Sequence, residues 1–202
     1  MNLYTRKYAA AQRKKLPNST INLIKTYLPI SSKDFILEIG IGYADSFRFL
    51  LSQTPNVHGI DINQWLIKKI NKPTIIWANA TNMPYPDHFF NKSLSIHTLE
   101  HIKDLRLVFK ELNRITKTDG LSLHIFPAHF LTKAEGAIGD TFKMYPFNPL
   151  KAWREAHKLH IHNLNPKKIE DLLKGLEFKL VFSKKVFVPE CGGTNWLVLL
   201  KK

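Results

Sequence analysis

Two glycines and two acids in the first third of the chain have the spacing of a site for a small charged molecule. The segment LEIGIGYAD places Gly40 and Gly42 one residue apart, directly behind an apolar run that contains Glu38. Glycine takes positive φ and has no Cβ, so a ligand can approach its backbone closely. Asp61 lies 21 residues after Gly40, a spacing at which an acid in a doubly wound fold accepts hydrogen bonds from ribose hydroxyls. These residues predict a turn that admits a nucleoside.

The elements that must position these residues follow from the apolar patterning. Strands are predicted at 35–40, 57–62, 74–79, 92–97, 121–127, 178–182 and 195–201, and helices at 19–27, 46–53, 64–70, 103–116 and 166–174. Residues 128–150, which hold two glycines and two prolines, are predicted to be irregular.

This alternation predicts an α/β fold with a seven-stranded, mostly parallel sheet and helices on both faces. Two consecutive strands close the chain as a hairpin, so we expect the last strand to be antiparallel. Ligands of such sheets bind at the carboxyl ends of strands, near the point where the strand order reverses. Each of the candidate residues falls at such an end.

Composition limits the classes of function. A chain of 202 residues suits one domain. Its single cysteine, Cys191, leaves no intrachain disulfide, so a reducing, cytoplasmic location is expected. No apolar run approaches the roughly 18 residues of a membrane helix. The first residues lack the apolar core of a secretory signal, so none is expected.

The formal net charge is +14 and is spread unevenly. Residues 1–30 hold six Lys or Arg and no acid, whereas residues 31–100 are balanced. Such an excess can attract nucleic acid, anionic lipid or an acidic substrate. Because no basic run exceeds three residues and no aromatic residues alternate with the basic ones, a solvated basic surface is favoured over a nucleic-acid interface.

The register of the glycines separates two classes of cofactor. A dinucleotide loop, G-x-G-x-x-G, needs a third glycine at position 45, where Asp45 would face pyrophosphate oxygens with the wrong sign. The chain reads E-x-G-x-G-x-A from Glu38 to Ala44, which resembles the glycine loop of class I S-adenosylmethionine-dependent methyltransferases. That cofactor has no phosphate, and an acid at Glu38 favours its cationic sulfonium and amino groups.

The resemblance covers roughly residues 35–127. The run WANATNMPYPDHFFNKSLSIHTLEH, followed by an amphipathic helix and TDG, is similar to the family's D-A-x-x-L-P-F-P-D-x-x-F-D, strand, L-E-H, helix and L-K-P-G-G. It implies a Rossmann-like, type 11-like methyltransferase that uses S-adenosylmethionine and releases S-adenosylhomocysteine. We expect one domain, 1–202, in which residues 1–30 cover the cofactor and residues 128–165 form an acceptor-side insertion.

The resemblance also assigns roles to single residues. It implies that Gly40, Gly42 and Tyr43 line the methionine portion, Asp61 binds the ribose, Ile62 packs on adenine, Asn79 meets the adenine amino group, the Ala80 backbone meets a ring nitrogen, and Ile96 and His97 complete the pocket. Ala44 and Asn79 depart from the family's usual glycine and aspartate and are expected to weaken cofactor affinity. Asn91 and TDG are turn substitutions that a turn tolerates.

Methyl transfer is an in-line displacement that depends mainly on holding the reactants in line. An oxygen or nitrogen acceptor must also lose a proton, for which histidine is the natural base. His129, directly after the fifth strand, is the candidate base; His97 and His101 are weaker candidates. His160 and His162 could flank the acceptor but are more typical of surface residues, and His124 is expected to be a packed core histidine. No metal site is expected.

Three functions remain open. A small-molecule methyltransferase is favoured by the charge-balanced cofactor half. A methyltransferase acting on RNA or another polyanion is the alternative suggested by the basic ends. A non-catalytic partner subunit that binds S-adenosylmethionine is suggested by the departures at positions 44 and 79. A dehydrogenase is disfavoured by Asp45. The acceptor and the oligomeric state are not predicted.

Overall fold

The computed structural model describes residues 16–128, 138–188 and 193–202. Its strands are β1 (Ile36–Ile39), β2 (Val57–Asp61), β3 (Ile75–Trp77), β4 (Phe90–Ile96), β5 (Thr116–Pro127), β6 (Lys179–Val188) and β7 (Gly193–Lys201). Its α-helices are α1 (Asn18–Tyr27), α2 (Asp45–Leu51), α3 (Gln64–Ile70), α4 (Leu105–Ile115), α5 (Ile138–Met144), α6 (Pro149–Leu159) and α7 (Pro166–Leu173). A 3-10 turn, Leu99–His101, lies between β4 and α4.

The seven strands form one sheet in the order β3-β2-β1-β4-β5-β7-β6. The pairs from β3 through β5 are parallel, and β7 is antiparallel to both β5 and β6. The predicted fold, with its antiparallel last strand, is therefore confirmed. The strand order reverses between β1 and β4, so their carboxyl ends border the crevice in which such folds bind ligands.

Strand β1 lies at the centre of this edge, and all four of its residues are buried. It is an almost continuous apolar run because helices cover both faces of the sheet. Its register sets Glu38 beside Gly59 of β2 and Leu94 of β4. The loops that follow these three strands therefore emerge side by side.

Two apolar layers hold the sheet. Helix α4 begins where the Asp104 side chain accepts a hydrogen bond from the Leu107 N–H at 3.2 Å, and its buried face packs in the layer that contains Leu37 and Ile39. The opposite layer includes Ile24 of α1 and Phe47 of α2. Burying each such side chain stabilises the fold by about 1.5–3 kcal/mol.

The prediction that residues 128–150 are irregular is wrong for the part that the structure describes. Helix α5 occupies Ile138–Met144, and α6 begins at Pro149. The Asn148 side chain accepts a hydrogen bond from the Lys151 N–H at 2.9 Å, with proline at the first turn. Helix α7 begins with the same Asn-Pro pair. The prediction treated the prolines of 128–150 as breakers, although proline is favoured at the first position of a helix.

Strand β5 also begins earlier than predicted, at Thr116 instead of residue 121. Thr116 pairs with Phe90, and the register then shifts before Lys92 pairs with Leu121. The TDG turn is an irregularity inside the strand, with Asp119 at a φ of 63°. In the described ranges, no helix combines the length and the apolar character that crossing a membrane requires.

Candidate functional site

The loop after β1 begins at Gly40, whose conformation and surroundings both require glycine. Its φ is +73°, and a Cβ there would lie 2.3 Å from the Thr98 Oγ1. The Gly40 N–H donates to the Ile60 carbonyl at 2.8 Å, which ties the loop to β2. The loops after β1 and β4 are therefore in direct contact through Gly40 and Thr98.

Gly42 differs from Gly40 because it faces open space. Its φ is +51°, and no described heavy atom lies within 4 Å of the place that a Cβ would take. Its N–H donates to the Asp61 Oδ2 at 3.1 Å. Ala44 completes the turn at a φ of 61°, a left-handed conformation that costs a residue with a Cβ about 1–2 kcal/mol.

Asp61, the last residue of β2, is anchored by backbone groups. Its Oδ1 accepts from the Asn63 N–H at 2.8 Å, and Asn63 in turn caps α3 through the Trp65 and Leu66 N–H groups. Burial raises the pKa of Asp61, and the hydrogen bonds from Asn63, Gly42 and Ile62 oppose that shift. One carboxylate thus joins the glycine loop to the tip of β2.

Glu38 lies beneath the glycine loop with 2% of its surface exposed. Its Oε1 accepts a hydrogen bond from the Ser46 hydroxyl at the start of α2, whereas its Oε2 has no hydrogen-bond partner among the described residues. Burial raises the pKa of Glu38 to about 8; the Ser46 hydrogen bond lowers it, and the charges of Asp61 and Asp45 add to the rise. A cation beside Glu38 would reverse this shift.

The predicted adenine-side residues lie on the loops after β2 and β3. The Ile62 carbonyl accepts from the exposed Trp77 indole N–H at 2.9 Å. Asn79 is exposed, and its Oδ1 accepts from the Thr81 N–H at 3.0 Å, which leaves that oxygen one further acceptor position. Ala80 is buried. Ile62 directly follows Asp61 at the end of β2, and Asn79 and Ala80 follow β3, which pairs with β2.

Tyr43 and the end of β4 hold the remaining residues that the sequence assigns to the cofactor pocket. The Tyr43 ring lies under the Lys69 ammonium of α3, 5.2 Å from the ring centroid. Ile96 ends β4, and His97 follows it at a φ of 50° with its N–H on the Ile125 carbonyl at 2.8 Å. His97 therefore lies at the sheet edge, between the tips of β4 and β5.

Sequence reasoning missed Glu100 in the 3-10 turn. Its side chain is 1% exposed, and neither carboxylate oxygen has a hydrogen-bond partner in another described residue. Burial raises the pKa of Glu100 to about 8, against the smaller effect of its own N–H. The available signal was the position of Glu100 in L-E-H, one of the motifs that carry the family resemblance.

The structure confirms the prediction made for His124 and corrects the one made for His160. His124 is a packed core residue, as predicted: Ser95 and Ser122 hydroxyls lie 2.7 Å and 2.9 Å from its ring nitrogens, and burial lowers its pKa to about 3. His160 was expected on the surface but is buried. Its ring packs against the His101 ring, with 4.9 Å between the two ring centroids. The candidate base His129 lies outside the described residues.

Comparisons with known proteins agree with this arrangement. The family described as "Methyltransferase domain" matches residues 37–123. YrhH of Bacillus subtilis, which carries a methyltransferase name, is 29% identical over 133 residues, covering 58% of this chain and 68% of YrhH.

Solved structures share the fold. An S-adenosylmethionine-dependent methyltransferase from Mesorhizobium loti has a TM-score of 0.69 at 14% identity, over 90% of this chain and 96% of that one. A methyltransferase complexed with the Haloferax volcanii Trm112 methyltransferase activator has a TM-score of 0.68 at 11% identity, over 90% of this chain and 88% of that one. At these identities the likeness shows the fold.

Proposed function

We propose that this chain is a class I S-adenosylmethionine-dependent methyltransferase, because residues 37–123 match the methyltransferase domain family, and that it methylates a small-molecule acceptor by in-line displacement. S-adenosylmethionine is the cofactor in this proposal. When bound, that cofactor supplies a methyl group on a sulfonium, which leaves as the neutral thioether of S-adenosylhomocysteine. The protein's part is to bind and orient this donor and to exclude water around it.

The tips of β1 and β2 fit this cofactor. The buried Glu38 Oε2 has no described partner, and a cationic group would satisfy it. The open side of Gly42 leaves room for a ligand against bare backbone. The observation that carries the proposal is the hydrogen bond from Gly42 to Asp61, because it joins the glycine loop and the ribose-binding acid into one surface.

Within this proposal, Gly40, Gly42 and Tyr43 surround the methionine portion, and Glu38 supplies the opposing charge. Since the Tyr43 ring lies under Lys69, we assign the contact to the Tyr43 backbone. Asp61 takes the ribose hydroxyls. The adenine contacts are Ile62, Asn79 and Ala80, with Ile96 and His97 on the opposite side.

The charge at this edge supports a small, non-polyanionic acceptor. Residues 31–100, which contain the glycine loop and the tips of β1, β2 and β4, hold as many acidic as basic residues, so this edge lacks the basic excess that binds a phosphate backbone. The basic excess falls in residues 1–30 and beyond residue 100, which keeps a polyanionic acceptor as the second candidate. His129 as base and a cytoplasmic location stay predictions.

A calorimetric titration followed by a labelled-methyl screen tests the proposal. We expect S-adenosylmethionine to bind with one site per chain and labelled methyl to reach small organic acceptors. Transfer to RNA, with binding that weakens steeply as salt rises, would favour the second candidate. Absence of cofactor binding would overturn the proposal and favour a non-catalytic partner, such as the subunit of a complex with another protein.

A further inference from the structure

Three side chains with metal-ligand chemistry meet just past the tip of β4. Glu100, His101 and His160, called here the β4-tip cluster, each offer one ligand atom, and these atoms all lie within 4.8 Å of one another. Glu100 and His101 belong to the 3-10 turn, whereas His160 follows α6. Only the fold brings these two segments together.

Glu100 gives the cluster its charge. Its carboxylate is buried with no hydrogen bond from another described residue, although two imidazoles lie close to it. The His97 Nδ1 is 3.6 Å and the His101 Nε2 is 3.9 Å from its Oε1, and both separations are longer than a hydrogen bond. A buried carboxylate without direct hydrogen bonds is costly, and groups set slightly too far apart to bond directly leave room for an ion between them.

The orientation of His101 favours metal binding. Its Nδ1 lies 2.8 Å from the Leu159 carbonyl oxygen, and since that oxygen can only accept, Nδ1 carries the proton. In the neutral ring, Nε2 therefore presents a lone pair on the side of Glu100. An imidazole held by a backbone carbonyl through its other nitrogen is the usual arrangement of a metal-ligating histidine.

The backbone fixes His160 relative to Glu100. The Ile161 N–H donates to the Glu100 carbonyl at 2.9 Å, and the His162 N–H approaches the same oxygen at 3.3 Å. His160 itself is 4% exposed. The side chains of His97 and His101 retain 25% and 18% exposure, so one side of the cluster stays open to solvent.

We propose that Glu100, His101 and His160 bind one divalent first-row transition-metal ion such as Zn²⁺, with His97 adjacent as a fourth group. Tetrahedral ligands at 2.0–2.1 Å from Zn²⁺ lie about 3.3 Å apart, so ligand atoms that are within 4.8 Å of one another need to approach by up to about 1.5 Å. One carboxylate with two or three imidazoles suits Zn²⁺, Fe²⁺ or Co²⁺ better than Mg²⁺, which prefers oxygen ligands.

The position of the ion suggests its use, which rests on the proposed methyl transfer. Thr98 packs against Gly40, so the cluster is next to the glycine loop. An ion there lowers the pKa of a bound hydroxyl, and the acceptor is then a hydroxyl compound. The hydroxyl proton passes to solvent, the oxygen bonds to the methyl carbon, and the carbon–sulfur bond breaks with its electron pair on sulfur.

Binding is tested on the full chain after chelator treatment and without S-adenosylmethionine. We expect one equivalent of Co²⁺ to bind with a visible d–d absorption band, Zn²⁺ to displace it, and either ion to raise Tm. Glu100→Gln, which keeps the shape of the side chain, and His160→Ala should each weaken Co²⁺ binding at least about 100-fold. His162→Ala is the matched control, because His162 lies on the same segment but its Nε2 is hydrogen-bonded to the Ile102 carbonyl. This variant should keep its Co²⁺ binding.

The outcomes are separable from those of the proposed function, because cofactor binding by the metal-free protein is measured independently. Failure of the metal-stripped chain to bind Co²⁺ or Zn²⁺ would overturn the site, as would binding that Glu100→Gln and His160→Ala leave unchanged. Glu100 would then be a buried neutral acid. If the ion binds but turnover of hydroxyl acceptors does not rise with metal loading, the proposed use of the ion is wrong.

Discussion

Glu38 at the tip of β1 and Glu100 just past the tip of β4 are two buried carboxyl groups on neighbouring strands of one sheet. Burial raises the pKa of each to about 8, and each has a carboxylate oxygen without a described partner. Their neighbours differ. Glu38 lies under a glycine loop beside a serine and two further acids, whereas Glu100 lies among imidazoles.

Under the two proposals above, the same type of acid would serve two kinds of cation. Bare backbone and nearby acids leave space for an organic cation and favour its charge, whereas imidazole nitrogens complete the coordination of a metal ion. A carboxyl group that is costly to ionise in the free protein becomes favourable once its cation is present. We expect changes at one acid to leave the ligand of the other largely unaffected.

The largest expected effect comes from Asp61, which joins the glycine loop to β2. Asp61→Ala removes the two hydrogen bonds that the carboxylate is proposed to accept from the ribose hydroxyls, each worth about 1.5–3 kcal/mol because the acceptor is charged. The variant should therefore bind S-adenosylmethionine at least about 100-fold more weakly. Asp119→Ala, at an exposed acid paired with Lys201, is the control. Calorimetry measures both; unchanged affinity in Asp61→Ala would contradict the assigned ribose contact.

The two glycines of the β1 loop should separate stability from binding. In Gly40→Ala the new Cβ collides with Thr98 at positive φ, and we expect the free energy of unfolding to fall by about 2–5 kcal/mol. In Gly42→Ala the Cβ enters open space. That variant should lose about 1–2 kcal/mol yet bind the cofactor at least about tenfold more weakly, because the Cβ occupies ligand space.

Denaturant unfolding and calorimetry on both glycine variants provide the comparison. Full cofactor affinity in a folded Gly42→Ala protein would show that the ligand does not approach this backbone. Near-normal stability in Gly40→Ala would show that Thr98 moves aside.

Exchanging single acids sharpens the comparison of the two tips. Glu38→Gln should weaken S-adenosylmethionine binding by about tenfold, since it removes one partly screened charge interaction, and leave Co²⁺ binding intact. Glu100→Gln should do the reverse. If either variant damages both ligands equally, the two tips act as one site and the comparison fails.

The smallest expected effect is a pH dependence of cofactor affinity. The pKa of the Glu38 carboxyl is raised from 4.5 to about 8. Its contribution to the stability of the free protein is therefore fully present below pH 4.5 and is lost as pH rises through 8. The cofactor favours the ionised form, so affinity should increase between pH 6 and 8, by at most about tenfold in total. The slope should disappear in Glu38→Gln; a slope that persists there would point to another group.

Much of this edge could be predicted from the sequence because its signals are local. The glycines, Glu38 and Asp61 lie within one strand–loop–helix–strand unit, and each takes its place from the strand that precedes it. His124 was also assigned correctly from alternation within β5. By contrast, burial of His160 depended on its contact with His101, and the sequence carries no local mark of that contact.

The amino-acid sequence by itself determined the order of strands and helices, the glycine turn and the resemblance to methyltransferases, because apolar periodicity and short motifs act over a few residues. The tertiary structure alone decided that His160 meets Glu100 and His101 although some 60 residues separate them in the chain. It also decided that position 40 must be glycine, because a Cβ there would collide with the Thr98 side chain. Such contacts arise where strand ends and loops converge after the sheet has assembled, and their partners are set by packing rather than by sequence spacing.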